Sequence, residues 1–157
     1  MADVMRWRYG ETAPVMLPVQ SATVIEIGDL VYQSTDHALP AGAQADQGTK
    51  AGNQQLFHNN FVGVAMQQSR AGDTTPIRVA TTGVFAFDCT SATFEVGALI
   101  GGDENTGGTA LMNQVVAAVN AENLAIGRCA KRVSPAETSV LVEIVGTVTH
   151  GGPQAKA

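Results

Sequence analysis

Apolar residues recur at every second position through several short runs of the chain, and each run ends at glycine, proline or a polar cluster. Over residues 61–68, Val62, Val64 and Met66 alternate with Gly63, Ala65 and Gln67, as a half-buried strand requires. The same pattern predicts strands over 15–19, 22–27, 29–33, 77–82, 84–89, 124–133 and 139–148, with Gly28 as a turn or bulge between two extended pieces. Residues 111–119 fit helical spacing at Leu111, Val115 and Val119, but the paired valines and flanking glycines fit a strand, which is the reading adopted. The last run is apolar on both faces: Val140, Val142 and Ile144 on one, Leu141 and Val145 on the other. That is expected of a central strand or of one covered by another subunit. Val140, Leu141, Val142 and Val145 are therefore candidates for a subunit interface.

The pattern is interrupted in three places. Residues 1–13 have no period and read as a flexible N-terminal arm. Residues 36–55 lose periodicity in a stretch of Ala, Gly and Gln, an excursion too long for an ordinary connection, with a short helical turn expected near 53–59. Residues 150–157 read as a disordered tail. The β domain is expected between them, at 14–149.

Three blocks recur in one order. Residues 26–31, EIGDLV, are echoed by residues 95–100, EVGALI, with their glycines 69 residues apart. The run around Gly63 is echoed around Gly127, and the run ending at Gly83 by the run ending at Gly146. Such self-similarity predicts an internal duplication, with halves near 24–83 and 95–146. Gly28 should then match Gly97, and Gly63 match Gly127, in backbone geometry. The predicted fold class is mainly β: a compact β-barrel or tulip-like domain built from two similar halves, with few short helical turns.

Composition narrows the function. Charged residues make up only 15% of the chain and the formal net charge is −5. Nucleic-acid phosphates call for clustered Lys and Arg, so a nucleic-acid partner is not expected. The basic groups that do cluster are Arg6 with Arg8, and Arg128 with Lys131 and Arg132. No apolar run approaches the roughly 20 residues that span a bilayer, and the N-terminus lacks the apolar stretch of a signal peptide. A cytoplasmic site of synthesis and reduced thiols at Cys89 and Cys129 are expected. Cys89 shares a strand face with Phe85 and Phe87 and reads as a core residue, whereas the neighbours of Cys129 define no face.

Candidate chemistry is sparse. His37, His58 and His150 stand at no metal-ligand spacing, and no nucleophile, metal-protease or phosphate-loop string occurs. Asp103-Glu104 lies between glycines and reads as a solvated turn; Asp29 could accept backbone hydrogen bonds after Gly28. No catalytic residue, cofactor or metal is expected. The residue types most typical of binding hot spots are concentrated in the arm, at Arg6, Trp7, Arg8 and Tyr9.

The blocks 14–32, 60–89, 95–103 and 123–133, with G-D-L-V, G-V-A, V-x-x-x-G-V-F and I-G-R in that order, resemble the capsid decoration, or head cement, family of tailed bacteriophages. The resemblance runs from about Pro14 to Gly146. It implies a β-rich homotrimer, made in the host bacterial cytoplasm, that sits on the outer surface of the expanded head and binds the major capsid protein. It implies neither enzyme activity nor a cofactor. The excursion 36–55 and the Trp-bearing arm depart from the smallest such proteins and leave the docking mode open. Rival expectations are another virion part (tail, neck or fibre-associated) and a small β-barrel enzyme or ligand-binding module using Asp29, Asp73 or His58.

Overall fold

The computed structural model describes residues 3–148; the expected tail at 150–157 lies outside the described residues. The chain is mainly β and contains two five-stranded units of one topology. The first is built from β2 (Val15–Leu17), β3 (Leu30–Ser34), β4 (His37–Pro40), β5 (Phe61–Ala65) and β6 (Ile77–Ala80), in the spatial order β2-β6-β5-β3-β4. The second is built from β7 (Thr82–Phe94), β8 (Leu99–Glu104), β9 (Leu111–Ala118), β10 (Gly127–Cys129) and β11 (Val133–Val145), in the order β7-β11-β10-β8-β9. In the second unit β7 also pairs with β9, in parallel at Asp88–Val115 and Cys89–Val116, and closes a barrel. In the first unit the corresponding closure is one hydrogen bond, from the Ala38 N–H to the Pro18 carbonyl at 2.9 Å.

Register repeats along with order. Val31 lies opposite Gly63 and Leu30 opposite Val64; in the second unit Ile100 lies opposite Gly127 and Leu99 opposite Arg128. Ala65 pairs with Val79 as Cys129 pairs with Val142. The turn amides repeat too: Gly28 N–H donates to Ala65 O and Gly97 N–H to Cys129 O, both at 2.9 Å. Gly28 and Gly97 hold φ of 96° and 88°, a region that favours glycine. At Gly63 and Gly127 a methyl would overlap the carbonyls of Ala80 and Glu143, which are themselves counterparts. The matched glycines therefore mark a close approach of neighbouring backbones. Gly127→Ala is expected to lower stability by about 2–3 kcal/mol through forced separation of β10 from β11, read as a shifted midpoint in urea.

The cores correspond residue for residue. Leu17, Val19, Ile25, Val31, Ala38, Val62, Ala65, Ile77 and Val79 form the buried cluster of the first unit. Their counterparts Phe87, Cys89, Phe94, Ile100, Val116, Ile126, Cys129, Val140 and Val142 all lie in the buried cluster of the second. Leu30, Tyr32, Phe57, Phe61, Val64 and Ala80 join that larger cluster from the outward face of the first unit and the helix. One apolar layer thus joins the two units, since strand residues of opposite parity face opposite ways.

Three expectations are corrected. The strand expected at 22–27 is a turn segment with a single bridge, Ile25 to Ser69, because Gly28 and the Glu26–Asp29 turn end pairing there. The excursion 36–55 is ordered: β4 hairpins back on β3, a short 3-10 turn follows at Ala41–Ala43, and α1 spans Lys50–Asn60. Thr49 caps α1 by accepting the Gly52 N–H at 3.0 Å. The helical turn expected near 53–59 is present within α1, which is longer than expected and buries amides beside Phe57. Asn53 donates to Asp46 and Glu104 at 3.1 and 2.8 Å, and Gln54 donates to the Gly102 carbonyl at 2.8 Å. The hydrogen bond from Gly48 N–H, then that from Asn53, holds the Asp46 carboxyl below its ordinary value.

The third correction is the arm. Residues 3–13 lie against both units rather than free of them. Trp7–Tyr9 form β1, which pairs antiparallel with β7 at Phe85 and Val84. Upstream, Val4 N–H donates to the Ile27 carbonyl at 2.8 Å, and Asp3 Oδ1 accepts the Ile27 N–H at 2.7 Å. Downstream, the Thr12 carbonyl accepts from Thr81 and Thr82.

Candidate functional site

The four arm residues expected to dock divide into two kinds. Arg6 is buried, at 6% exposure. Its Nε donates to Gln114 Oε1 at 2.8 Å, one terminal nitrogen donates to the Ala86 carbonyl at 3.2 Å, and the other meets Asp88 Oδ2 at 3.2 Å. Its guanidinium also lies 5.6 Å from the Phe87 ring centre. Gln114, fully buried, passes the connection on by donating to Asp29 Oδ1 at 2.9 Å, and Asp29 Oδ2 accepts the Glu26 N–H at 2.9 Å. Burial pushes the Asp29 carboxyl above its ordinary value, opposed by those two hydrogen bonds. The chain Arg6–Gln114–Asp29 ties the N-terminal segment, β9 and the first turn together. Its role is to anchor, and it is no surface for a partner.

Trp7, Arg8 and Tyr9 do face outward. Trp7 is 40% exposed and Tyr9 52%, and Trp7 Nε1 is satisfied by the Gly10 carbonyl at 3.0 Å. β1 is the end strand of its sheet. Arg8 lines a groove of about 590 Å³ together with Lys131, Arg132, Glu137 and Leu141. The two basic clusters of the sequence thus meet, in part, on one surface beside an edge strand, in a chain of net charge −5. Neither cluster alone indicated the other. The link is the pairing of β1 with β7, which runs beside β11.

The interface candidates divide by parity. Val140 and Val142 point into the second barrel, at 2% and 0% exposure, and are corrected from interface to core. Leu141 is half-buried in the basic groove, and Val145, 41% exposed, lines a separate groove with His58, Glu122 and Arg128. The strand is apolar on both faces because one face fills its own barrel and the other borders grooves.

Asp29, Asp73 and His58, the residues of the enzyme or ligand-binding alternative, occupy separate surroundings. Asp29 is in the network above; Asp73 is exposed in a turn closed by its N–H on the Arg70 carbonyl; His58 Nδ1 lies 2.6 Å from the Ala125 carbonyl. Among the described residues, no three His, Cys, Asp or Glu side chains are grouped as a metal would need. Cys89 and Cys129 are both buried free thiols, and burial raises the Cys89 thiol above its ordinary value. No helix among the described residues is long and apolar enough to cross a membrane. No family profile, curated protein or solved structure matches this chain.

Proposed function

We propose that this protein is a non-catalytic binding module, a decoration protein that clamps the outer surface of an expanded phage head against internal DNA pressure. The observation that carries the reading is the end strand β1, with Trp7 and Tyr9 exposed, beside a groove lined by Arg8, Lys131 and Arg132 in an acidic chain. Aromatic side chains bury much area at little entropic cost, an edge strand can be extended by a partner's strand, and cations steer docking onto an acidic surface. The resemblance of the sequence blocks to head cement proteins is what points to the shell as the partner. In this reading the protein acts as a homotrimer, with Leu141 and Val145 as the apolar residues left for subunit contact. Three tethered contacts raise avidity over one by about 10² or more.

The test mixes purified protein with expanded shells and follows co-sedimentation. Saturation at a fixed number of copies per shell is expected. The double variant R8E/K131E should bind at least about tenfold more weakly with an unchanged melting temperature. Recovery with isolated tails and not with shells would replace the shell reading with a tail part.

A further inference from the structure

We propose that the turn Glu95–Ala98 of the second barrel is a docking site for an extended peptide of a different protein, one presenting a carboxylate side chain immediately before an aliphatic residue. The argument comes from the duplication. In the first unit the counterpart turn, Glu26–Asp29, is covered by residues of this chain. Asp3 Oδ1 accepts the Ile27 N–H and Val4 N–H donates to the Ile27 carbonyl. The Val4 carbonyl lies so close to Gly28 that a methyl there would overlap it. In the second unit the same turn, with the same closing bond from Ala98 N–H to Glu95 O at 3.1 Å, has no such segment across it, although Arg128 Nη1 donates to its Gly97 carbonyl at 2.9 Å. Val96 is 69% exposed, no hydrogen bond within the described residues reaches its main chain, and space beside Gly97 is open.

Topology explains the asymmetry. Upstream of β2 the chain has a free segment to lay across the turn. Upstream of β7 it has β6, separated by one residue and already paired with β5. Each copy carries two such turns and, among the described residues, one segment that engages such a turn, so exchange of that segment between copies still leaves one turn per copy without it. The surroundings suit an acidic, apolar strand. Val96 borders a groove of about 340 Å³ with Tyr9, Val84, Arg128, Ala130 and Glu143. Arg70 stands 4.0 Å from the Asp3 carboxylate in the first unit; the cations at the second turn are Arg128, bonded to the Gly97 carbonyl, and Arg132, bonded to Glu95, both at 2.9 Å.

A capped synthetic peptide of residues 2–7 serves as the probe, titrated into the ¹⁵N-labelled full chain. Amide shifts are expected at 95–98 and 128–130, with Ile27 and Gly28 unmoved. Positive φ at Gly97 after the Glu95 carbonyl's bond marks the turn type that favours proline before the glycine. Val96→Pro therefore removes the N–H donor while keeping the turn, and should weaken the peptide by at least about tenfold. Should that variant misfold, Val96→Glu sets a like charge against the carboxylate and should give the same loss. A peptide with Asn in place of Asp should also bind more weakly. Shifts centred on Ile27, no shifts at millimolar peptide, or equal binding by Val96→Glu would overturn the proposal. Whole-shell binding is scored separately, so either idea can fail alone.

Discussion

Val142→Asp is expected to abolish folding, leaving a chain without near-ultraviolet dichroism and without a cooperative thermal transition. Val142 is fully buried, paired with Cys129 on one side and Phe85 on the other, in the middle of the second barrel. A carboxylate there would have no cation or donor within its apolar surroundings. Leaving one charge unpaired in such a site costs several kcal/mol, against a total stability of about 5–15 kcal/mol for a domain. The neighbouring change, Leu141→Asp, should leave the transition within about 1 kcal/mol of the parent, since its side chain borders the open groove. Light scattering on Leu141→Asp then reports assembly alone. If Val142→Asp folds as a smaller oligomer, the residue belongs to a subunit interface and the assignment to the barrel core is wrong.

Removing residues 2–9 should lower stability by about 4 kcal/mol, or roughly 10 °C in melting temperature for a domain of this size. The deletion removes β1 and with it the Arg6 carbonyl that accepts from Ala86. It also strips three guanidinium contacts from Gln114, Ala86 and Asp88. Hydrogen bonds to a charged group contribute about 1.5–3 kcal/mol each, offset in part by the desolvation of Arg6. Arg6→Met, which keeps the stem but not the donors, should reproduce most of the loss. Trp7→Ala should cost far less, because the indole is 40% exposed. Equal melting temperatures for the truncated and full chains would mean that the segment is an appendage after all.

The duplication was legible because its signal is steric. Gly28, Gly63, Gly97 and Gly127 stand where backbones crowd or φ is positive, and spacing alone revealed the correspondence. Alternation likewise marked most strands. Long-range polar burial was not legible. The partners of Arg6 lie 80 to 108 residues away, and nothing local to an Arg-Trp-Arg-Tyr run distinguishes a clamp from a frayed end. The buried face of α1 was hidden for a related reason, since Asn53 and Gln54 become interior residues only through acceptors on distant elements. For the proposed docking surface, the residue types at Trp7, Arg8 and Tyr9 were legible, while the meeting of Arg8 with Lys131 and Arg132 required the β1–β7 pairing.

The unequal filling of the two cores bears on how this chain avoids folding into itself wrongly. Two units with one strand order and one register can in principle trade strands, a hazard of tandem repeats during folding. Where the first core places Val15, Leu17 and Ile25, the second places Phe85, Phe87 and Phe94. A β7 segment inserted into the first barrel would overfill a space sized for aliphatic side chains, at about 1–3 kcal/mol per misfit. A β2 segment inserted into the second would leave cavities where the phenyl rings belong, at about 3–5 kcal/mol for each large truncation. Divergence in side-chain volume thus acts as a sorting code, by which two barrels of one topology each select their own strands.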